Sequence, residues 1–144
     1  MPAPSAFDYA IVRVVPRVER GEFINAGVIL FCRTRRFLGA RLELDPRRLA
    51  ALDPDLDPAL VQPHLDSIAR IAAGGPAAGP IGALSPSERF HWLVAPRSTI
   101  IQTSPVHAGL CDDPNAALDH LLRTMVHRQP DPESPNAPPQ PGGL

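Results

Sequence analysis

The sequence predicts an α+β fold, an antiparallel sheet of about four strands with helices packed on one face. Three observations predict it. Residues 8–44 carry short β-branched or alternating apolar runs, the apolar spacing becomes helical after Asp45, and four Asp-Pro or Ser-Pro pairs stand where helices would start.

The first strand is expected over Asp8–Pro16 (DYAIVRVVP), rich in β-branched residues and closed by a proline. Val28–Cys32 (VILFC) reads as a second strand, wholly apolar as a strand covered on both faces would be. Arg33–Arg36 is a polar tetrad suited to a turn. In Phe37–Leu44 the residues Leu38, Ala40, Leu42 and Leu44 fall on one face and Arg41 and Glu43 on the other, so a hairpin and then a meander are expected.

Asp45-Pro46, Asp57-Pro58, Ser85-Pro86 and Asp113-Pro114 each set a capping side chain before a proline, whose missing N–H would be unpaired in a first helical turn anyway. The second of these helices carries Val61, Leu65, Ile68 and Ala72 on one stripe and should stop at Gly74-Gly75-Pro76, with Pro63 predicting a kink or a later start. Ser85 to Glu88 fits a capping box, with Phe90, Leu93 and Val94 as its apolar face. Ser98–Thr103 is expected as the fourth strand, and the last helix carries Leu118, Leu121, Leu122, Met125 and Val126 at helical spacing. The expected organisation is one domain over residues 7–128 and a disordered tail over 129–144, whose six prolines leave too little apolar surface to offset the entropy of ordering. Its Pro135-x-x-Pro138 lacks the flanking arginine of a strong recognition ligand.

Composition narrows function. The net charge is −1, which argues against a protein that coats nucleic acid. All 14 basic residues are arginine; residues 1–50 hold nine of them against five acids, and residues 51–144 hold five against ten. Arginine suits carboxylate and phosphate partners, although an Ala-, Pro- and Arg-rich chain without lysine also reads as plain compositional bias. Cys32 and Cys111 form no CxxC pair and are expected as buried thiols. The N-terminus has neither a basic segment nor an apolar run, and no stretch is long enough to span a membrane, so the expected location is the cytoplasm.

The most informative stretch is Arg20–Gly27, RGEFINAG, joining two apolar strands. It suits a tight connection with a bulge at Gly27, where Asn25 bonds its own backbone. It equally suits a site in which Glu22 is a general base or ligand contact and Asn25 an orienting amide. Tyr9–Phe31, with its tyrosine-led strand, Arg-Gly-Glu and Asn-x-Gly-Val, resembles the opening motif of the family called domain of unknown function 3037. The later FHWL (Phe90–Leu93) and the LDHLL of the last helix are similar to that family as well, so the resemblance covers residues 7–128. It implies a compact bacterial domain, an association with neighbouring HipA-like serine/threonine kinases, and motif positions at Arg13, Glu22, Asn25 and Gly27.

Other chemistry is sparse in the sequence. His120 and His127 lie two turns apart, His64, His91 and His107 fall on separate elements, and no metal site or cofactor is expected. No GxSxG, GxGxxG or GxxxxGK[ST] occurs, and Ser104 stands in a strand-end loop without a recognisable partner. Trp92 is one position off its helix's apolar face, where it either covers the core edge or anchors a partner. The expected function is therefore a non-enzymatic accessory or partner protein, and the resemblance implies a kinase-type neighbour as its partner. Its alternatives are a small enzyme or ligand binder using Glu22, Asn25 and Arg13, and a nucleic-acid contact through Arg33, Arg35 and Arg36.

Overall fold

The computed structural model describes residues 3–127. The expected tail, 129–144, lies outside them. Strands β1 (Ser5–Val14), β2 (Ile24–Cys32) and β3 (Phe37–Leu42) form the meander, joined by a 3₁₀ turn (Val18–Arg20) and the Arg33–Arg36 turn. Helices α1 (Pro46–Leu52), α2 (Pro58–Ala73) and α3 (Pro86–Leu93) follow, with a 3₁₀ segment (Pro76–Ala83) between the last two. The chain then returns as β4 (Ile101–Thr103), β5 (His107–Cys111) and α4 (Pro114–Leu121), which runs into a π-helical turn over Leu122–Val126. The sheet is antiparallel in the order β3-β2-β1-β4, and β5 pairs with β1 beyond β4.

The α+β class is as expected; the sheet gains a strand and its second face gains a cover. Two apolar clusters lie on opposite sides of it. Val12, Val14, Ile29 and Phe31 meet Leu49 of α1, Val61, Leu65 and Ile68 of α2, and Phe90 and Leu93 of α3. Phe7, Ile11, Val28, Leu30 and Cys32 meet Leu118 and Leu121 of α4 and Val126 of the π turn. The wholly apolar Val28–Cys32 run has this cause: both faces of β2 are buried. The polar face of β3 is not free either. Arg41 reaches α4 through Asp119 Oδ1 (3.2 Å) and Asn115 Oδ1 (3.3 Å), and Glu43 pairs with His127.

All four helix starts form as the capping pairs predict. Asp45 Oδ1 accepts from Arg47 N (2.9 Å), Asp57 Oδ1 from Ala59 N (2.9 Å), and Asp113 Oδ1 from Asn115 N (3.0 Å). Ser85 and Glu88 close a full capping box. Pro63 neither delays nor ends α2: it lies on the exposed side, and the residue whose carbonyl its missing N–H would have bonded, Ala59, is exposed as well.

Two corrections concern the second half. β5 was missed because HAGLC is an edge strand, mostly exposed and poor in β-branched residues, and so shows no buried periodicity. The last helix does not keep a 3.6-residue stripe throughout. His127 N–H bonds Leu122 O at 3.0 Å, an i→i−5 bond, and the widened turn rotates Val126 into the core and Met125 out of it. Leu122 is only partly buried.

Candidate functional site

RGEFINAG builds its geometry from two devices. Gly21 ends the 3₁₀ turn at φ 69° and turns the chain into β2. A bulge follows: Val12 pairs with Gly27 while Arg13 pairs with Asn25, so Ala26 is the extra residue. The bulge switches which alternate residues of β2 face each core. Ile24 and Ala26 precede it on the α1–α3 side, and Ile29 and Phe31 continue on that side after it. Gly27 is required by close approach, because a Cβ there would lie 2.7 Å from the Arg41 carbonyl oxygen.

The same shift sets Arg13 and Asn25 side by side at the open end of the α4 face. The Arg13 guanidinium carbon lies 4.1 Å from the centroid of the Phe23 ring, a cation–π stack. On its other flank Arg13 is opposite Gln102 of β4. Asn25 does not bond its own backbone; its Nδ2 donates to the Met125 carbonyl at 2.9 Å, tying β2 to the π turn across 100 residues of sequence. Arg48 Nη1 holds the next carbonyl, that of Val126, at 2.8 Å. Two polar atoms are left over: Arg13 Nε and Asn25 Oδ1 are buried without a hydrogen-bonding partner on the protein. Phe23 and Met125, each attached to this pair, remain 42% and 41% exposed.

Glu22 stands apart from this arrangement. Its carboxylate pairs with Arg20 Nε at 2.5 Å and lines an open cavity of about 340 Å³ with Pro16, Arg17, Leu52 and Asp53. Asn25 and Arg13 do not line that cavity, so the expected Glu22/Asn25 loop divides into two locations, and Gly27 is a packing residue between them. Phe23 and Met125 were not singled out from the sequence. The aromatic directly after Glu22 was the available signal for the first. Nothing local signals the second, whose exposure depends on the π turn.

Residues 9–126 match the family described as Protein of unknown function (DUF3037). The chain belongs to the domain of unknown function 3037 family. No curated protein and no solved structure matches it significantly.

Elsewhere in this family 3037 chain, Trp92 is 48% exposed on α3, with the Arg97 guanidinium 5.6 Å from its ring centroid and Arg97 Nη2 donating to the Trp92 carbonyl at 2.8 Å. α3 covers the sheet face opposite to Arg13 and Asn25, so Trp92 does not join them. At the β2–β3 turn Arg36 takes φ 49°, Arg33 leans toward the Phe31 ring, and Arg35 Nε donates to Ser5 Oγ at 3.1 Å. Arg33 and Arg36 line a cavity of about 360 Å³ beside the start of α3, whose N-terminus is already closed by Glu88. Ser104 has partners after all: its Oγ accepts from Ile11 N–H at 2.8 Å and donates to the Pro105 carbonyl at 2.9 Å. Cys32 and Cys111 are free and buried. Burial pushes the Cys111 thiol pKa up, and the neighbouring Cys32 adds to the shift. No group of three or more His, Cys, Asp and Glu side chains is placed to hold a metal, and no helix is long and apolar enough to cross a membrane, among the described residues.

Proposed function

We propose that the chain is a binding module that engages a partner protein through Arg13, Phe23, Asn25 and Met125. The observation that carries this reading is the pair of buried polar atoms without a partner, Arg13 Nε and Asn25 Oδ1, set beside two large exposed apolar side chains. An unpaired buried donor or acceptor costs about 1–3 kcal/mol, so a partner whose docking shifts Arg13 and Asn25 enough to satisfy both atoms gains affinity by relieving that cost. Phe23 under a guanidinium and Met125 supply the aromatic, Arg and Met character that interface centres favour. An enzymatic reading draws no such support, since Glu22 is engaged by Arg20 and separated from Asn25.

The partner we propose to test first is a HipA-like serine/threonine kinase from the same genome. Titration of the purified kinase with the full chain is expected to give saturable binding. Phe23→Ala and Arg13→Ala are expected to weaken it at least about tenfold, a loss of 1.4 kcal/mol or more. Trp92→Ala should bind as wild type. Undiminished binding by Phe23→Ala and Arg13→Ala, with loss in Trp92→Ala, would move the interface to α3.

A further inference from the structure

β5 forms the border of the sheet, and its backbone directions follow from its neighbours. Ile11 faces residue 104: its carbonyl accepts from Ser104 N at 2.8 Å, and its N–H donates to Ser104 Oγ. Val15 N–H likewise faces β4, donating to Ile100 O at 2.7 Å. Strand backbones alternate with period two, so Ser5, Phe7 and Tyr9 face β5, and their partners Cys111, Gly109 and His107 face back. The N–H and C=O groups of Ala108 and Leu110 therefore point away from β1, along an edge to which no strand is added among the described residues.

Sheet edges are normally blunted by charge, proline or a covering element. The β3 edge has such protection, with Arg41 on the strand and α2 and α4 packed against it. β5, HAGLC, has neither Lys, Arg, Asp, Glu nor Pro. Leu110 is 72% exposed, and Ala108 and the paired Ala6 are exposed beside it. This row lies on the sheet face opposite to Phe7 and Cys111, where neither α4 nor the α1–α3 layer covers it.

We propose that the free edge of β5 is a homodimer interface, in which β5 of a second copy adds antiparallel about a two-fold axis through Gly109. The strand is self-complementary under that operation. Leu110 of each copy falls opposite Ala108 of the other, large against small, and these are the residues whose backbone groups point outward. Each such pair exchanges both of its backbone hydrogen bonds. A glycine on the axis puts no side chain against its own image, and the strand brings no like charges together. An isologous contact of this kind closes at two copies.

Sedimentation velocity on the full chain over about 1–200 µM tests this by mass action. The wild type is expected to shift from one chain to two. Ala108→Pro removes one outward N–H without touching the β1 ladder, as edge strands permit, and Leu110→Asp places charge on the axis-related apolar pair. Both are expected to weaken self-association at least about tenfold with the far-UV spectrum and melting temperature retained. Leu110 points into solvent, so Leu110→Asp keeps the test informative if Ala108→Pro disturbs folding. A wild type that stays monomeric to the top concentration overturns the proposal and leaves the edge to a strand from a different protein. A folded Ala108→Pro chain, or a Leu110→Asp chain, that dimerises as tightly as wild type also overturns it.

Discussion

Replacing Gly27 with alanine tests whether this glycine acts by packing. A Cβ at Gly27 would sit 2.5 Å from Leu42 Cδ1 and 2.7 Å from the Arg41 carbonyl oxygen, where ordinary contact begins near 3.4 Å. The Leu42 methyl can rotate away. The Arg41 carbonyl cannot, because Arg41 is held in the β2–β3 ladder opposite Val28. The strands must part by about 0.7 Å at the bulge, where Glu43 N–H also bonds the Ala26 carbonyl at 2.7 Å. Overpacking costs about 1–3 kcal/mol, and a backbone obstacle puts this site at the upper end. The expected loss is about 3 kcal/mol, or about 10 °C in melting temperature for a chain of this size. Gly21→Ala is the control. It has φ 69° and nothing within 4 Å of a Cβ, so only the left-handed penalty of about 1–2 kcal/mol applies. Urea denaturation with an unchanged m-value reads both. A Gly27→Ala loss below about 1 kcal/mol, or one smaller than that of Gly21→Ala, would refute the argument from close approach.

Asn25→Ala removes the tie to the Met125 carbonyl and should cost about 1–2 kcal/mol, with hydrogen-exchange protection falling first in residues 118–127; uniform loss across the sheet would contradict a local tie. Leu118→Ala, at a fully buried position, should cost about 2–5 kcal/mol, and Leu122→Ala distinctly less; equal losses on chemical denaturation would mean that the π turn does not rotate the face as described. Ser104→Ala leaves the Ile11 N–H without its acceptor and should cost about 1–3 kcal/mol, whereas a neutral substitution would show that water replaces the hydroxyl. Because burial raises the Cys111 pKa, the folded state holds that proton where the unfolded thiol, near pH 8.5, has begun to release it. The contribution is fully present below that pH and is lost as pH rises through the folded value. Cys111→Ala should therefore flatten the alkaline decline in stability, and an unchanged slope in denaturation curves between about pH 8 and 10 would count against the shift.

Much of this fold is decided locally, and that part was legible in the residues. The Asp-Pro and Ser-Pro pairs fix helix starts because the cap and the missing N–H act within one turn of chain. The stripe Val61, Leu65, Ile68, Ala72 identifies the buried face of α2 because a single apolar layer needs only one period. The Phe37–Leu44 alternation likewise assigns Leu38, Ala40, Leu42 and Leu44 to the α1–α3 side. The family was legible as well, in the Tyr9–Phe31 stretch.

Tertiary contact decided the rest. α4 covers the second face because Arg41, Glu43 and the inward residues of β1 and β2 converge there, and no short window of sequence records that meeting. The π turn exposes Met125 against its helical spacing, because Asn25 and Arg48 hold the Met125 and Val126 carbonyls from other elements. β5 exists through pairing with β1 and buries too little of itself to leave a pattern. The candidate site follows the same logic: the bulge at Ala26 brings Arg13, 12 positions earlier in sequence, beside Asn25, while Glu22, only three positions away, turns to the other side with Arg20. Residue type specified what each of these side chains can do; the strand register, a property of two segments at once, specified which of them act together.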